Sequence, residues 1–339
     1  MMSTIREKAC EREKQTLSEY AALASESKGR AIPEEECPVR TAFQRDRDRI
    51  IHSNAFRRLK HKPQVFLSPE GDHYRTRLTH TLEVSQIART IAVALNLNCD
   101  LTEAIALGHD LGHTPFGHAG ERALNSVSIG GFKHYSQSLR VVDFLEKDGK
   151  GLNLTYEVRN GIERHTNGEQ AATLEGRIVR LADRIAYINH DIEDATVAGI
   201  MCEDDIPAEI RKVLGQSKSE RINTLVLSCI NNSTDDIVLD PDVKLYFDEL
   251  HQFMFDKVYT NPACKSEEGK AMEMIQRLYH HFTQNPEALP MQFKEIAFRD
   301  GIDIAACDFI AGMTDRYAVR VFNDLYVPKA WTKTDDWSI

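Results

Sequence analysis

The chain has 339 residues, of which 42% are hydrophobic, and a formal net charge of −10. That apolar content is enough for a sizeable core and excludes extended disorder, while the acidic balance excludes indiscriminate nucleic-acid binding. Seven cysteines, scattered and never spaced CxxC, fit free thiols in a reducing cytoplasm.

In chain order the periodicity is helical nearly throughout. The opening "MMSTIREKACEREKQ" is charged and lacks the apolar stretch of a signal peptide, and residues 1–45 read as an N-terminal helical segment. No run approaches the roughly 18 apolar residues that span a membrane. Leu78 and Leu82, then Ile87, Ile91 and Leu95, recur at helical spacing and predict one apolar face. Ile178, Leu181, Ile185, Ile188 and Ile192 step by 3, 4, 3 and 4, which predicts an amphipathic helix. Further helices are expected over 219–231, 242–259, 268–284 and 302–325, with loops at 67–72, 128–131, 147–151 and 262–269, where Gly, Pro and Ser cluster. Strand-like alternation is scarce, so the fold class is all-α. A boundary near 202–207 divides a core at 46–204 from C-terminal helices at 205–339 that pack on it.

Eight of the thirteen histidines lie between 52 and 134, which places the chemistry in the first half. His109 and Asp110 are adjacent, and adjacent side chains in a helix diverge by about 100°. Both therefore reach one ion only at a helix end or bend, and Gly108 and Gly112 supply that irregularity. An imidazole beside a carboxylate suits a divalent ion such as Mn²⁺, Fe²⁺ or Zn²⁺. His80 sits on the preceding helix. Asp183 sits on the strongest helix downstream, sharing a polar face with Tyr187 and Asp194, and periodicity alone does not separate that face from a solvated one.

A histidine, then HD, then a lone aspartate on successive helices resembles the HD-domain metal phosphohydrolases. The segments "RDRDRIIHSNAFRRLKHKPQVF", "RTRLTHTLEV", "HDLGHTPFGHAGE", "GFKHYSQSLRVVDFL", "ADRIAYINHDIEDA" and "AGMTDRYA" look like the deoxyguanosine triphosphate triphosphohydrolase (dGTPase) family, over about residues 15 to 325. The resemblance implies an HD-domain helical core with additional C-terminal helices. It makes His80, His109, Asp110 and Asp183 the ligands of a divalent metal, Mn²⁺ or Mg²⁺, with Fe²⁺ and Co²⁺ as further candidates.

By the same resemblance, His118 and Glu121 orient or activate the attacking water, and their i, i+3 spacing lets the carboxylate fix the imidazole tautomer if a helix starts there. His134 contacts phosphate and donates a proton to the leaving group. Arg77 binds phosphate, with Arg58 and Arg184 as further phosphate candidates; His113 is either a phosphate contact or structural. Gln64 and Tyr187 meet the deoxyribose, and Asp191 takes the 3′-hydroxyl. His165, in "IERHTNG", reads as structural, with a place at the border of the pocket as the alternative.

The activity implied is hydrolysis of a deoxynucleoside triphosphate at the α-phosphate to deoxynucleoside and inorganic tripolyphosphate. Another HD phosphohydrolase activity (a nucleotidase or a cyclic-nucleotide phosphodiesterase) and a non-catalytic nucleotide sensor are the rival readings. The family likeness further implies a cytoplasmic homo-oligomer, a hexamer or tetramer, without a membrane partner and with nucleic acid only as a regulator.

Overall fold

The computed structural model describes residues 3–62, 75–166, 168–259 and 262–329, and side chains for all of these except 259 and 262–266. Gln64 and the expected loop at 67–72 lie outside the described residues. Among the described residues there are helices and no strand, only an isolated antiparallel bridge between Arg30 and Thr155.

The helices run α1 (Ile5–Thr16), α2 (Ala42–Ile51), α3 (Asn54–Arg58), α4 (Arg77–Ala94), α5 (Cys99–Gly108), α6 (Gly117–Val127), α7 (His134–Arg140), the single turn α8 (Glu146–Gly149), α9 (Tyr156–Glu163) and α10 (Leu174–Val197). After them come α11 (Ala208–Leu214), α12 (Lys218–Asn232), α13 (Pro241–Met254), α14 (Pro262–Gln284), α15 (Met291–Asp300), α16 (Ile302–Ala311) and α17 (Asp315–Tyr326). Side-chain caps start many of them: Thr76 accepts from the Thr79 amide to open α4, and Asn98 accepts from Leu101 to open α5.

The isoleucine stripe of α10 faces inward: Ile178, Ile185, Ile188 and Ile192 are fully buried and Leu181 is half-buried. Each fully buried isoleucine contributes about 1.5–3 kcal/mol relative to exposure. On α4 the expected face is displaced. Leu82 is 51% exposed, and the buried row is His80, Val84, Ile87 and Ile91, because that row faces α10 and α5. The segment expected as a loop at 262–269 instead opens α14. The expected helix over 302–325 is two helices, broken after Ala311 where Thr314 caps α17.

Two apolar clusters hold the helices together. One joins α2, α4, α5, α9 and α10 to α11–α13 through residues such as Ile50, Ile105, Ile162, Leu214 and Phe247. The other joins α6 to α14 and α16 through Leu124, Leu278, Phe282 and Ile310. No described helix is long and apolar enough to cross a membrane.

Candidate active site

α5 ends at Gly108, so His109 and Asp110 fall on the turn that follows and their side chains can converge. This turn is packed too tightly for a side chain at Gly112: a Cβ there would lie 2.1 Å from the Ser138 amide nitrogen. Ser138 Oγ accepts from the Gly112 amide at 2.9 Å and donates to the His109 carbonyl at 2.7 Å, tying the turn to α7. Phe116 then takes a left-handed φ of 62° immediately before α6. A non-glycine residue in that region stores strain of order 1–3 kcal/mol, a pattern common at functional sites.

Three elements bring their donors together on this turn. α4 supplies His80 and α10 supplies Asp183, whose Oδ1 lies 3.0 Å from His80 Nε2 and 3.8 Å from His109 Nε2. Asp110 Oδ1 lies 3.5 Å from His109 Nε2, and its Oδ2 lies 3.9 Å from His80 Nε2. The ring atoms of His80 and His109 and a carboxylate oxygen of Asp110 fall within 4.8 Å of one another, as the ligand atoms of one ion would. His109 carries the clearest mark of such a role. Its Nδ1 lies 2.6 Å from the Ala106 carbonyl, which can only accept, so the proton sits on Nδ1. Its Nε2, buried and without a hydrogen-bond partner, presents a lone pair to the cluster. Two imidazoles and two carboxylates suit a divalent transition metal.

Burial would raise both carboxylates, but their neighbours prevail. His109, His113 and Arg77 hold Asp110 well below the usual carboxylate range, and the His80 hydrogen bond and His109 hold Asp183 below it. Arg77 Nη1 donates to Asp110 Oδ2 at 2.9 Å. The guanidinium therefore orients a candidate ligand as well as facing the cavity.

The other half of the turn carries a second constellation. Glu121 on α6 places Oε2 2.8 Å from His134 Nδ1 and 3.6 Å from His118 Nδ1. His118 and Glu121 thus face one another at a helix start without a hydrogen bond, and the hydrogen-bonded partner of Glu121 is His134 on α7. Burial acts to raise Glu121, yet the neighbouring His118 ring and the hydrogen bond from His134 outweigh it and keep the carboxyl far below its usual range. His113 stacks on His134 with ring centroids 4.1 Å apart, and its Nε2 lies 3.1 Å from Asp110 Oδ1. Asp110, His113 and His134 form a second group of ligand atoms within 4.8 Å of one another. Burial, with Arg77 and His134 nearby, pushes His113 well below the usual histidine range and so favours a neutral ring.

Both constellations open on a cavity of about 530 Å³. Arg77, His80, Asp110, His113, His118, His134, Asp183, Arg184 and Tyr187, all named from sequence, line it. His109 stands behind that wall, fully buried. Arg184 also pairs with Asp248 at 2.9 Å and lies over the Phe247 ring. Two other expected residues sit elsewhere. Arg58 lines a separate cavity and lies 3.9 Å from Glu146, and Asp191 is fully buried on α10.

Four further residues of the wall lie outside the expected site set: His165, Thr166, Arg180 and His251. His165, read from sequence as structural with the pocket border as the alternative, lies on the wall. Its Nδ1 lies 2.6 Å from the Ile162 carbonyl, as His109 does with Ala106, and its Nε2 lies 3.3 Å from His134 Nε2. Arg180 precedes Asp183 by one helical turn, at the edge of the polar face that Asp183 and Tyr187 share, and carries no assigned role from sequence. His251 arrives on α13 from far along the chain, and no local signal marks it.

Residues 77–188 match the HD domain and residues 237–324 match a phosphohydrolase-associated domain. HD domains are metal-dependent, in keeping with the His/Asp groups described above. A deoxyguanosinetriphosphate triphosphohydrolase-like protein of Caldanaerobacter subterraneus subsp. tengcongensis is 52% identical over 329 residues, covering 96% of this chain and 97% of that protein. Proteins of the same name from Desulfatibacillum aliphaticivorans (47%, 96% of this chain, 99% of the relative) and Clostridium perfringens strain 13 (48%, 96% and 98%) are similar over nearly their full length. A phosphohydrolase from Bacteroides thetaiotaomicron shares the fold, with a TM-score of 0.52 at 17% identity over 83% of this chain and 69% of that one.

Proposed function

The chain belongs to the family of HD-domain phosphohydrolases named deoxyguanosinetriphosphate triphosphohydrolase-like proteins, and on that premise we propose that it is a metal-dependent dNTP triphosphohydrolase. It hydrolyses a deoxynucleoside triphosphate at the α-phosphate, giving deoxynucleoside and inorganic tripolyphosphate. The observation that carries this reading is the shared cavity: a buried His/Asp ligand set, a carboxylate–imidazole pair and three arginines face one space.

In this reading His80, His109, Asp110 and Asp183 hold Mn²⁺ or Mg²⁺, which when bound polarises a phosphoryl oxygen and acidifies water. Arg77 and Arg184 neutralise the triphosphate, which carries close to four negative charges near neutral pH and needs positioned cations. His118, oriented by Glu121, accepts the proton of the attacking water. His134, held by the same carboxylate, delivers a proton to the departing 5′-oxygen as the bond from that oxygen to the α-phosphorus breaks. Tyr187 closes the wall beside the sugar, with Gln64 assigned to the same subsite; Asp191, fully buried on α10 and off the cavity wall, is not assigned to it. Residues 46–204 form the catalytic core, with 1–45 before it and 205–339 packed on it. The protein acts as a cytoplasmic homo-oligomer, hexamer or tetramer, on a nucleotide substrate.

The test is anion-exchange separation of products from the purified protein incubated with dNTPs and Mn²⁺. Tripolyphosphate and deoxynucleoside in equal amounts are expected. Orthophosphate, pyrophosphate or a nucleoside monophosphate in place of tripolyphosphate overturns the reaction.

A further inference from the structure

His80 is wedged between two side chains of α10 that lie two turns apart. Asp183 meets its Nε2 at 3.0 Å, while His190 meets its Nδ1 through its own Nδ1 at 3.4 Å. His190 is 1% exposed and lies outside the cavity wall, behind His80. On its far side, His190 Nε2 lies 2.6 Å from Glu83 Oε2. Glu83 is one turn along α4 from His80, and Arg75 Nε anchors it at 3.1 Å. Arg75 in turn reaches Glu193 at 2.9 Å, so the row is fixed at both helices.

The chemistry of this row assigns each proton. A carboxylate only accepts, and an imidazole nitrogen 2.6 Å from it must carry the hydrogen, so neutral His190 is protonated on Nε2. Its Nδ1 is then a lone pair. Two ring nitrogens facing at 3.4 Å attract only if one of them bears a proton, which puts a hydrogen on His80 Nδ1. With that hydrogen on Nδ1, Nε2, the atom that faces Asp110 and Asp183, is the nitrogen left for a cation, which would take the place of the hydrogen that Nε2 shares with Asp183 Oδ1. Histidine ligands are commonly held in one tautomer by a backbone carbonyl or a carboxylate beyond them. Here His109 uses the Ala106 carbonyl, whereas the Nδ1 side of His80 reaches the Glu83 carboxylate through a second imidazole.

We infer that Glu83 and His190 are positioning residues: together they fix the tautomer and ring orientation of His80 so that its Nε2 is presented to a divalent cation. The inference rests on His80 being a metal ligand, as proposed above. Packing alone would not require a polar row of alternating donors and acceptors ending on that atom.

The test is equilibrium binding of Mn²⁺ to the metal-stripped full-length protein, with a melting curve of each metal-free variant alongside. Glu83→Leu removes the acceptor for His190, and His190→Leu removes the acceptor for His80. Each is expected to weaken Mn²⁺ binding by about 10- to 100-fold, the usual effect of losing such a partner. The conservative variants keep an acceptor in place. Glu83→Gln offers its amide oxygen to His190, and His190→Asn offers its amide oxygen to His80 Nδ1, so both are expected to stay within about threefold of wild type. Wild-type affinity in both leucine variants overturns the inference. So does equal loss in the leucine and conservative variants with unchanged melting, because that pattern reports packing. If His190→Leu does not fold, the Glu83 pair decides alone. Loss of Mn²⁺ affinity in a protein that makes no tripolyphosphate would sink the proposed reaction and leave this inference standing; the converse result would do the reverse.

Discussion

Glu121 lies closer to His134 than to His118, at 2.8 Å against 3.6 Å, although His118 is its neighbour in sequence. One carboxylate thus serves two rings on the cavity wall, and its removal should disable both proton transfers. Glu121→Gln is expected to lower kcat by about 10²- to 10⁴-fold with little change in KM. The two histidine rings hold Glu121 far below its usual range despite burial, so it stays ionised through the working range. The loss should therefore be uniform from about pH 6 to about pH 9, as read from a kcat–pH profile. A shifted limb with an unchanged plateau would contradict this arrangement.

Asp110 and Asp183 place two ionised carboxylates side by side, Asp110 paired with Arg77 and Asp183 with His80. A divalent ion that binds only the folded chain should stabilise it. At a Mn²⁺ concentration a hundredfold above Kd the gain is about 2.7 kcal/mol, visible as a higher Tm of the metal-stripped protein after Mn²⁺ is added. Asp183→Asn should abolish the Tm response without unfolding the chain, since an asparagine oxygen still accepts from His80. An undiminished response in that variant would remove Asp183 from the ligand set.

The candidate ligands were legible chiefly through the family resemblance. His109 and Asp110 stand side by side between glycines, but Asp183 shares a polar face that periodicity alone does not separate from a solvated one. What sequence could not supply are pairings set by packing between distant segments. Glu121 meets His134 across thirteen residues, and His251 reaches the cavity from α13. Leu82 failed for a related reason: at the site, His80 takes the inward position that hydrophobic spacing assigns to an apolar side chain. The break after Ala311 went unseen because apolar spacing continues across it. The Ala311 carbonyl there accepts from Lys62 Nζ, a contact spanning the chain.

Gly112 is a backbone requirement of the turn that carries His109 and Asp110. A methyl group there would lie 2.1 Å from the Ser138 nitrogen and 2.5 Å from the His134 carbonyl oxygen. Neither backbone atom can yield without moving α7 off the turn. Gly112→Ala should cost about 1–3 kcal/mol of stability and weaken Mn²⁺ binding at the same time. Gly130→Ala, where nothing lies within 4 Å of the added carbon, is the matched control and should be close to neutral. Urea denaturation of both variants checks the difference, and an unaffected Gly112→Ala would show that the turn can shift.

Glu175, fully buried in the first turn of α10, accepts the Ala22 and Asn98 amides on Oε1, each at 3.0 Å, while Oε2 has no hydrogen-bond partner. Burial, only partly offset by those amides, pushes its carboxyl up to about 7 from an ordinary value of 4.5. The sign follows from proton counting. Between these two values the folded chain holds a proton that the unfolded chain has released, so stability falls as pH rises from about 4.5 to about 7 and stays lower above that. Glu175→Gln keeps the acceptor for both amides and removes the charge. It should be nearly neutral at about pH 5 and stabilising at about pH 8, by no more than about 3 kcal/mol. Urea unfolding at the two pH values measures this directly. An equal effect at both, or a loss at the higher pH, would mean that the carboxylate is accommodated in its charged form.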